Sequence, residues 1–143
     1  MSLKQISVFA ENKKGSAFSA LEILAEANID LKALSISETA EYGIIRFIVS
    51  EPDKASEILK KNGCIIAVTD VIGVQMPNIP GGLSHILGML SDAGINIEYL
   101  YAFITTAKEH AYVVLRVLDN SQAEKVLEAG GMTLLTGDDI DRL

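Results

Sequence analysis

The chain has 143 residues, 49% hydrophobic and 22% charged, with a formal net charge of −7; this is a globular composition, enough for one medium domain or two very small ones. Nucleic acid is excluded as an expected partner, because a phosphate-binding surface needs clustered cations and Lys13-Lys14 and Lys60-Lys61 are the only basic doublets. No apolar run reaches the roughly 18–20 residues of a membrane span, and Leu3 is followed at once by Lys4 and Gln5, unlike a signal peptide, so no membrane partner and a cytoplasmic setting are expected.

Residues 4–10 alternate, with Ile6, Val8 and Ala10 on one face, which predicts a half-buried strand. Gly15 opens a helical segment with Ala17, Leu21, Leu24 and Ala27 on one stripe, and Asn28 is read as its terminator. Residues 31–37 and 44–50 are strand-like, with Leu34, Ile36, Ile45, Phe47 and Val49 inward. Pro52 starts a helix with Ala55, Ile58 and Leu59 on one face and Gly63 as its stop. Residues 64–69 return as a strand, within which the single cysteine, Cys64, is read as a buried structural thiol.

The order then repeats. Residues 71–76 form a strand, 82–93 a helix with Leu83, Leu87 and Leu90 inward, 97–104 and 111–118 two strands, and 121–129 a helix on which Ser121 and Glu124 have capping-box spacing. Asp138, Asp139 and Asp141 are read as a solvated acidic chain end. A shift of 66 residues sets Ile6 on Ile72, Gly15 on Gly81, Leu24 on Leu90 and Ile29 on Ile95; after a slip of two residues in the strand-to-strand turn, Val49 meets Val117 and Gly63 meets Gly131. Two copies of strand-helix-strand-strand-helix-strand predict an α+β protein of two ferredoxin-like units, 1–69 and 70–143, each an antiparallel sheet with its helices on one face. No linker separates Val68 from Val74, so the copies are expected to pack rigidly.

The other sheet face carries Tyr99, Tyr101, Phe103, Tyr112 and Val114 in the second copy and Phe9, Ile44 and Ile48 in the first, interrupted by Arg46 and Arg116. Two readings stand: a face covered in a homodimer, or the ordinary enrichment of strands in aromatic and β-branched residues. Catalytic patterns are scarce. His85 falls off its helix stripe and reads as solvated; His110 lies in a different element, and neither has Cys, Asp or Glu at metal-ligand spacing. No catalytic residue, metal or cofactor is assigned.

The informative segment is Met76-Pro77-Asn78-Ile79-Pro80-Gly81-Gly82-Leu83. Between a strand and a helix, its amides and the positive end of the helix dipole favour a carboxylate. Gly81 and Gly82 allow close approach to the backbone, and the Asn78 amide, both donor and acceptor, suits a zwitterion. An ordinary strand-to-helix turn explains the same residues.

That loop, together with Ala93-Gly94-Ile95-Asn96-Ile97, resembles the ACT domain family over the whole chain. The resemblance implies two ACT units paired side by side, with an amino acid bound where the strand-to-helix loop of one unit meets the corner between helix and second strand of its neighbour. By motif the second loop is Met76, Asn78, Ile79, Gly81, Gly82 and Leu83, and its corner Asn96; the first loop is Ala10, Asn12, Lys13, Lys14 and Gly15, and its corner Asp30. Lys14 stands where the family has proline and Asp30 where it has asparagine. One site joining the second loop to Asp30, with the carboxylate on the amides and the ammonium on Asp30, and one joining the first loop to Asn96 are implied.

The resemblance implies a non-enzymatic amino-acid sensor acting on a regulated enzyme partner, and the apolar sheet face adds the expectation of a homodimer or higher assembly. The alternative is a regulatory small subunit of an amino-acid biosynthetic enzyme, like that of acetolactate synthase. A small ferredoxin-like enzyme is third, since the loops offer mostly Gly, Pro and Asn.

Overall fold

The computed structural model describes residues 2–11, 14–38 and 42–143. The chain divides into two units, Lys4–Thr69 and Asp70–Leu143, the latter also taking in the first residues up to Leu3. The first contains β1 (Leu3–Glu11), α1 (Ser16–Glu26), β2 (Leu31–Glu38), β3 (Tyr42–Val49), α2 (Pro52–Lys61) and the start of β4 (Ile65–Pro77). Period-two alternation puts Ile6, Val8, Ile45, Phe47 and Val49 on one face, where Ala20 and Leu24 of α1 and Ala55 and Leu59 of α2 close a core. The register follows from this burial: antiparallel β1 and β3 set Ile6 opposite Phe47 and Val8 opposite Ile45, and β2 sets Leu34 opposite Phe47. Ile36, expected inward, is instead 52% exposed, because it lies on the edge strand beyond the packed core.

The second unit contains the rest of β4, α3 (Gly82–Asp92), β5 (Tyr99–Ala102), β6 (His110–Arg116), α4 (Asn120–Ala129), β7 (Thr133–Leu134) and α5 (Gly137–Ile140). Antiparallel β4 and β6 set Ile72 opposite Leu115 and Val74 opposite Val113, β5 pairs with β6, and β7 pairs with β4. These residues join Ile86, Leu90, Ala123 and Leu127 in a second core. The repeat is visible in the backbone. Left-handed residues recur at matched places: Gly15 and Gly81 (both φ 87), Asn28 and Gly94 (φ 57 and 73), and Gly63 and Gly131 (φ 81 and 84).

Several expectations change. Leu21 and Leu87 are only half-buried, while Ala20, Leu24, Ile86 and Leu90 fill the cores. Both helices carry adjacent apolar residues, so a helical period fits two stripes, and the sheet selects the one centred a residue earlier. Residues 64–69 and 71–76 are one continuous strand, β4. The cap of α4 is Asp119, whose side chain accepts the Gln122 amide, not Ser121. Cys64 is half-buried against the first core, where loss of solvent pushes its thiol above its usual pKa. Asp138 and Asp141 are exposed, as expected of a solvated acidic chain end, but Asp139 is not left to solvent. Thr136 and Asp139 form a reciprocal capping box that starts α5, and the segment it turns lies on the sheet face opposite α3 and α4. There Leu135 packs on Gly73, and its amide donates to the Gly73 carbonyl. Part of the apolar face of this unit is thus covered by its own chain.

Candidate ligand site

Residues 79–82 form a type II turn, with Pro80 supplying the fixed φ of its second position and Gly81, at φ 87 and ψ −7, its left-handed third. The Gly82 amide closes it by donating to the Ile79 carbonyl at 3.1 Å. Gly81 is then the N-cap of α3, and no side chain caps the helix. His85 is the first residue to donate back to it, to the Gly81 carbonyl at 2.9 Å, so the amides of Leu83 and Ser84 have no earlier helical carbonyl to reach. With the helix dipole they form a receptor for an anion.

The glycines have different reasons to be there. A Cβ at Gly82 would come 2.6 Å from the Pro77 carbonyl oxygen, so that glycine serves the path of the loop. One built at Gly81 meets nothing within 4 Å, so the space outside the turn is open. Asn78 is itself held by the chain before β6. Its side-chain Nδ2 donates to the Lys108 carbonyl and its backbone amide to that of Glu109, both at 3.0 Å. It braces the turn against residues 108–109, using one of the two N–H donors of its side-chain amide. Met76 and Leu83 are half-buried against the second core, while Ile79 is exposed.

The corner lies at the far end of α3. Gly94 turns the chain at φ 73 and the Ile95 amide donates to the Leu90 carbonyl. Exposed Asn96 borders an open pocket of about 420 Å³, with Leu87, Ser91, Gly94, Ile95 and Ile97. Sequence reasoning missed Leu87 and Ser91; their i,i+4 spacing with Asn96 just beyond the helix was the available signal. The 11 residues of α3 span about 16 Å, so the fold gathers Met76, Asn78, Ile79, Gly81, Gly82 and Leu83 but does not bring Asn96 to them.

In the Lys4–Thr69 unit, Gly15 caps α1 at φ 87 and ψ −2, again with no side-chain cap. Lys14 in place of the turn proline therefore leaves this cap conformation intact. Asn12 and Lys13 lie outside the described residues. Asp30, at the other end of α1 from Gly15, places Oδ2 3.1 Å from Lys32 Nζ; the aspartate side chain is 71% exposed and the lysine 10%. Lys32 thus buries its stem and presents its charge to the corner. His85 is exposed, and among the described residues no three His, Cys, Asp or Glu side chains converge as a metal site.

The sequence matches the model of the ACT domain pair over residues 1–143. The chain belongs to the ACT domain pair family. ACT units are regulatory modules, and this pair has solved structural relatives. A protein from Bacteroides thetaiotaomicron is 43% identical, with a TM-score of 0.91 over 100% of this chain and 98% of that one. The ligand-free regulatory subunit of aspartate kinase from Thermus thermophilus shares the fold at 19% identity and TM-score 0.65, and its counterpart from Thermus flavus at 18% and 0.62, each over 88% of both chains. No curated protein matches the sequence. Among the described residues of this ACT pair, no helix is long and apolar enough to cross a membrane.

Proposed function

We propose that this ACT pair is a non-enzymatic cytoplasmic sensor that binds an amino acid and, as a homodimer, regulates an enzyme partner. The observation that carries the reading is the uncapped start of α3, where the Leu83 and Ser84 amides stand behind a type II turn with open space at Gly81. The ligand carboxylate rests on those amides, where charge-assisted bonds to backbone N–H groups are the stronger kind. The ammonium is assigned to Asp30, as the resemblance implies. Among the described residues its Oδ1 has no partner, Oδ2 being the atom that faces Lys32. The first loop, centred on Gly15, pairs by the same rule with an Asn96 corner, whose pocket has no charged lining residue and suits an uncharged side chain.

Titration of the ¹⁵N-labelled protein with individual amino acids tests this. The binding amino acid shifts the Leu83 and Ser84 amide resonances in a saturable way, and Asp30→Ala weakens it about tenfold. Unchanged affinity in Asp30→Ala removes that residue from the site; saturable binding that leaves Leu83 and Ser84 unmoved removes the loop.

A further inference from the structure

Beyond α4 the two copies part. The offset of 68 residues that sets Gly63 on Gly131 also sets Val68 and Val71 on Thr136 and Asp139. Val68 and Val71 lie within the extended β4. At the later positions the chain instead turns. The Thr136 amide and hydroxyl donate to Asp139 Oδ2 at 2.8 and 2.9 Å, and the Asp139 amide donates to Thr136 Oγ1 at 3.3 Å. Two changes within the repeat thus supply both halves of a capping box and fold α5 over the sheet.

The fold leaves a cavity of about 210 Å³ between that segment and the sheet, lined by Gln75, Tyr112, Thr133, Leu135, Asp139, Arg142 and Leu143. Gln75 is directly opposite Tyr112 on β6 and Thr133 on β7. An amide, a phenol and a hydroxyl therefore form one row across three strands on one face. Leu135 supplies an apolar wall. Arg142 is exposed and lends its charge to the Asp139 carboxyl. Asp139 uses Oδ2 for both Thr136 bonds, leaving Oδ1 as an acceptor. The cavity is below the roughly 300–1,000 Å³ of pockets for drug-sized ligands, so its occupant is compact.

We propose that this cavity is a second small-molecule site, separate from the α3 loop, for a compact carboxylate bearing a hydrogen-bond donor on the adjacent carbon. Arg142 takes the carboxylate, Asp139 Oδ1 the donor, and the Gln75–Tyr112–Thr133 row the remaining bonds. An acid without the donor leaves Oδ1 facing an anion with nothing to accept, so the site discriminates against it.

Glycolate, with acetate as the donor-free control, is the probe. In the full-length ¹⁵N-labelled protein, glycolate is expected to shift the Gln75, Tyr112, Thr133 and Arg142 amides saturably, with acetate about tenfold weaker. Arg142→Gln, at an exposed position that leaves the fold intact, weakens glycolate about tenfold, and Tyr112→Phe weakens it less. Shifts that are absent, do not saturate, survive Arg142→Gln or fall only on Leu83 and Ser84 overturn the site. Acetate binding as tightly as glycolate overturns the role given to Asp139.

Discussion

Gly82 and Gly88 are both helical residues of α3, yet only one needs to be glycine. A Cβ at Gly82 collides with the Pro77 carbonyl at 2.6 Å, whereas one at Gly88 meets nothing within 4 Å. Gly82→Ala should therefore destabilise the second unit by about 1–3 kcal/mol, and Gly88→Ala should stabilise it by about 0.4–1 kcal/mol, both read from urea denaturation. Asp139 supplies a pH test at the same scale. The Thr136 amide, then its hydroxyl, and more weakly the charge of Arg142 hold the Asp139 carboxyl below the usual carboxylate range against a small effect of desolvation. Because the folded value is depressed, the unfolded chain takes up the proton first. The contribution of this cap is complete above the ordinary carboxylate value near 3.9 and is lost as pH falls through the lower folded value. Hydrogen exchange at Thr136 should accelerate over that acid interval relative to β6 amides, and Asp139→Asn should abolish the difference. Asn78 shows where reading residues singly ran out. Its side chain suits a zwitterion by chemistry, but that it also donates to the carbonyl of Lys108, 30 residues away in sequence, follows only from the fold.

Among the elements, the helix ends were legible because they rest on local backbone chemistry. Asn28 was readable as a stop, and it adopts φ 57 where the second copy has Gly94 at φ 73. The non-glycine residue bears the steric cost of the left-handed region. Asn28→Gly should stabilise the first unit by some tenths of a kcal/mol, and Gly94→Ala should cost the second about 1–2 kcal/mol, in chemical denaturation. The buried stripe of each helix was less legible. Ile86 and Leu87 are equally apolar, and only the sheet decides that Ile86 enters the core while Leu87 borders the corner pocket. The Thr136–Asp139 box went unread, because three aspartates near one another read as solvated; only the bonds to Thr136 show that Asp139 caps α5.

At the scale of the molecule, two separate cores, around Leu24 and around Leu90, account for why a 143-residue chain holds two very small units. Leu24→Ala and Leu90→Ala should each cost about 2–5 kcal/mol, seen by hydrogen exchange first in the unit that carries the change. The duplicated hydrophobic pattern made the pair of units readable, and the Pro-Gly sequence made the turn before α3 readable. That this loop and its own corner lie apart, at opposite ends of α3, was not. Thermal denaturation in the presence of each common amino acid tests the sensor most directly. A bound amino acid at about a hundred times its Kd should add about 2.7 kcal/mol of stability and raise the midpoint, whereas a midpoint unmoved by every amino acid would contradict an amino-acid sensor.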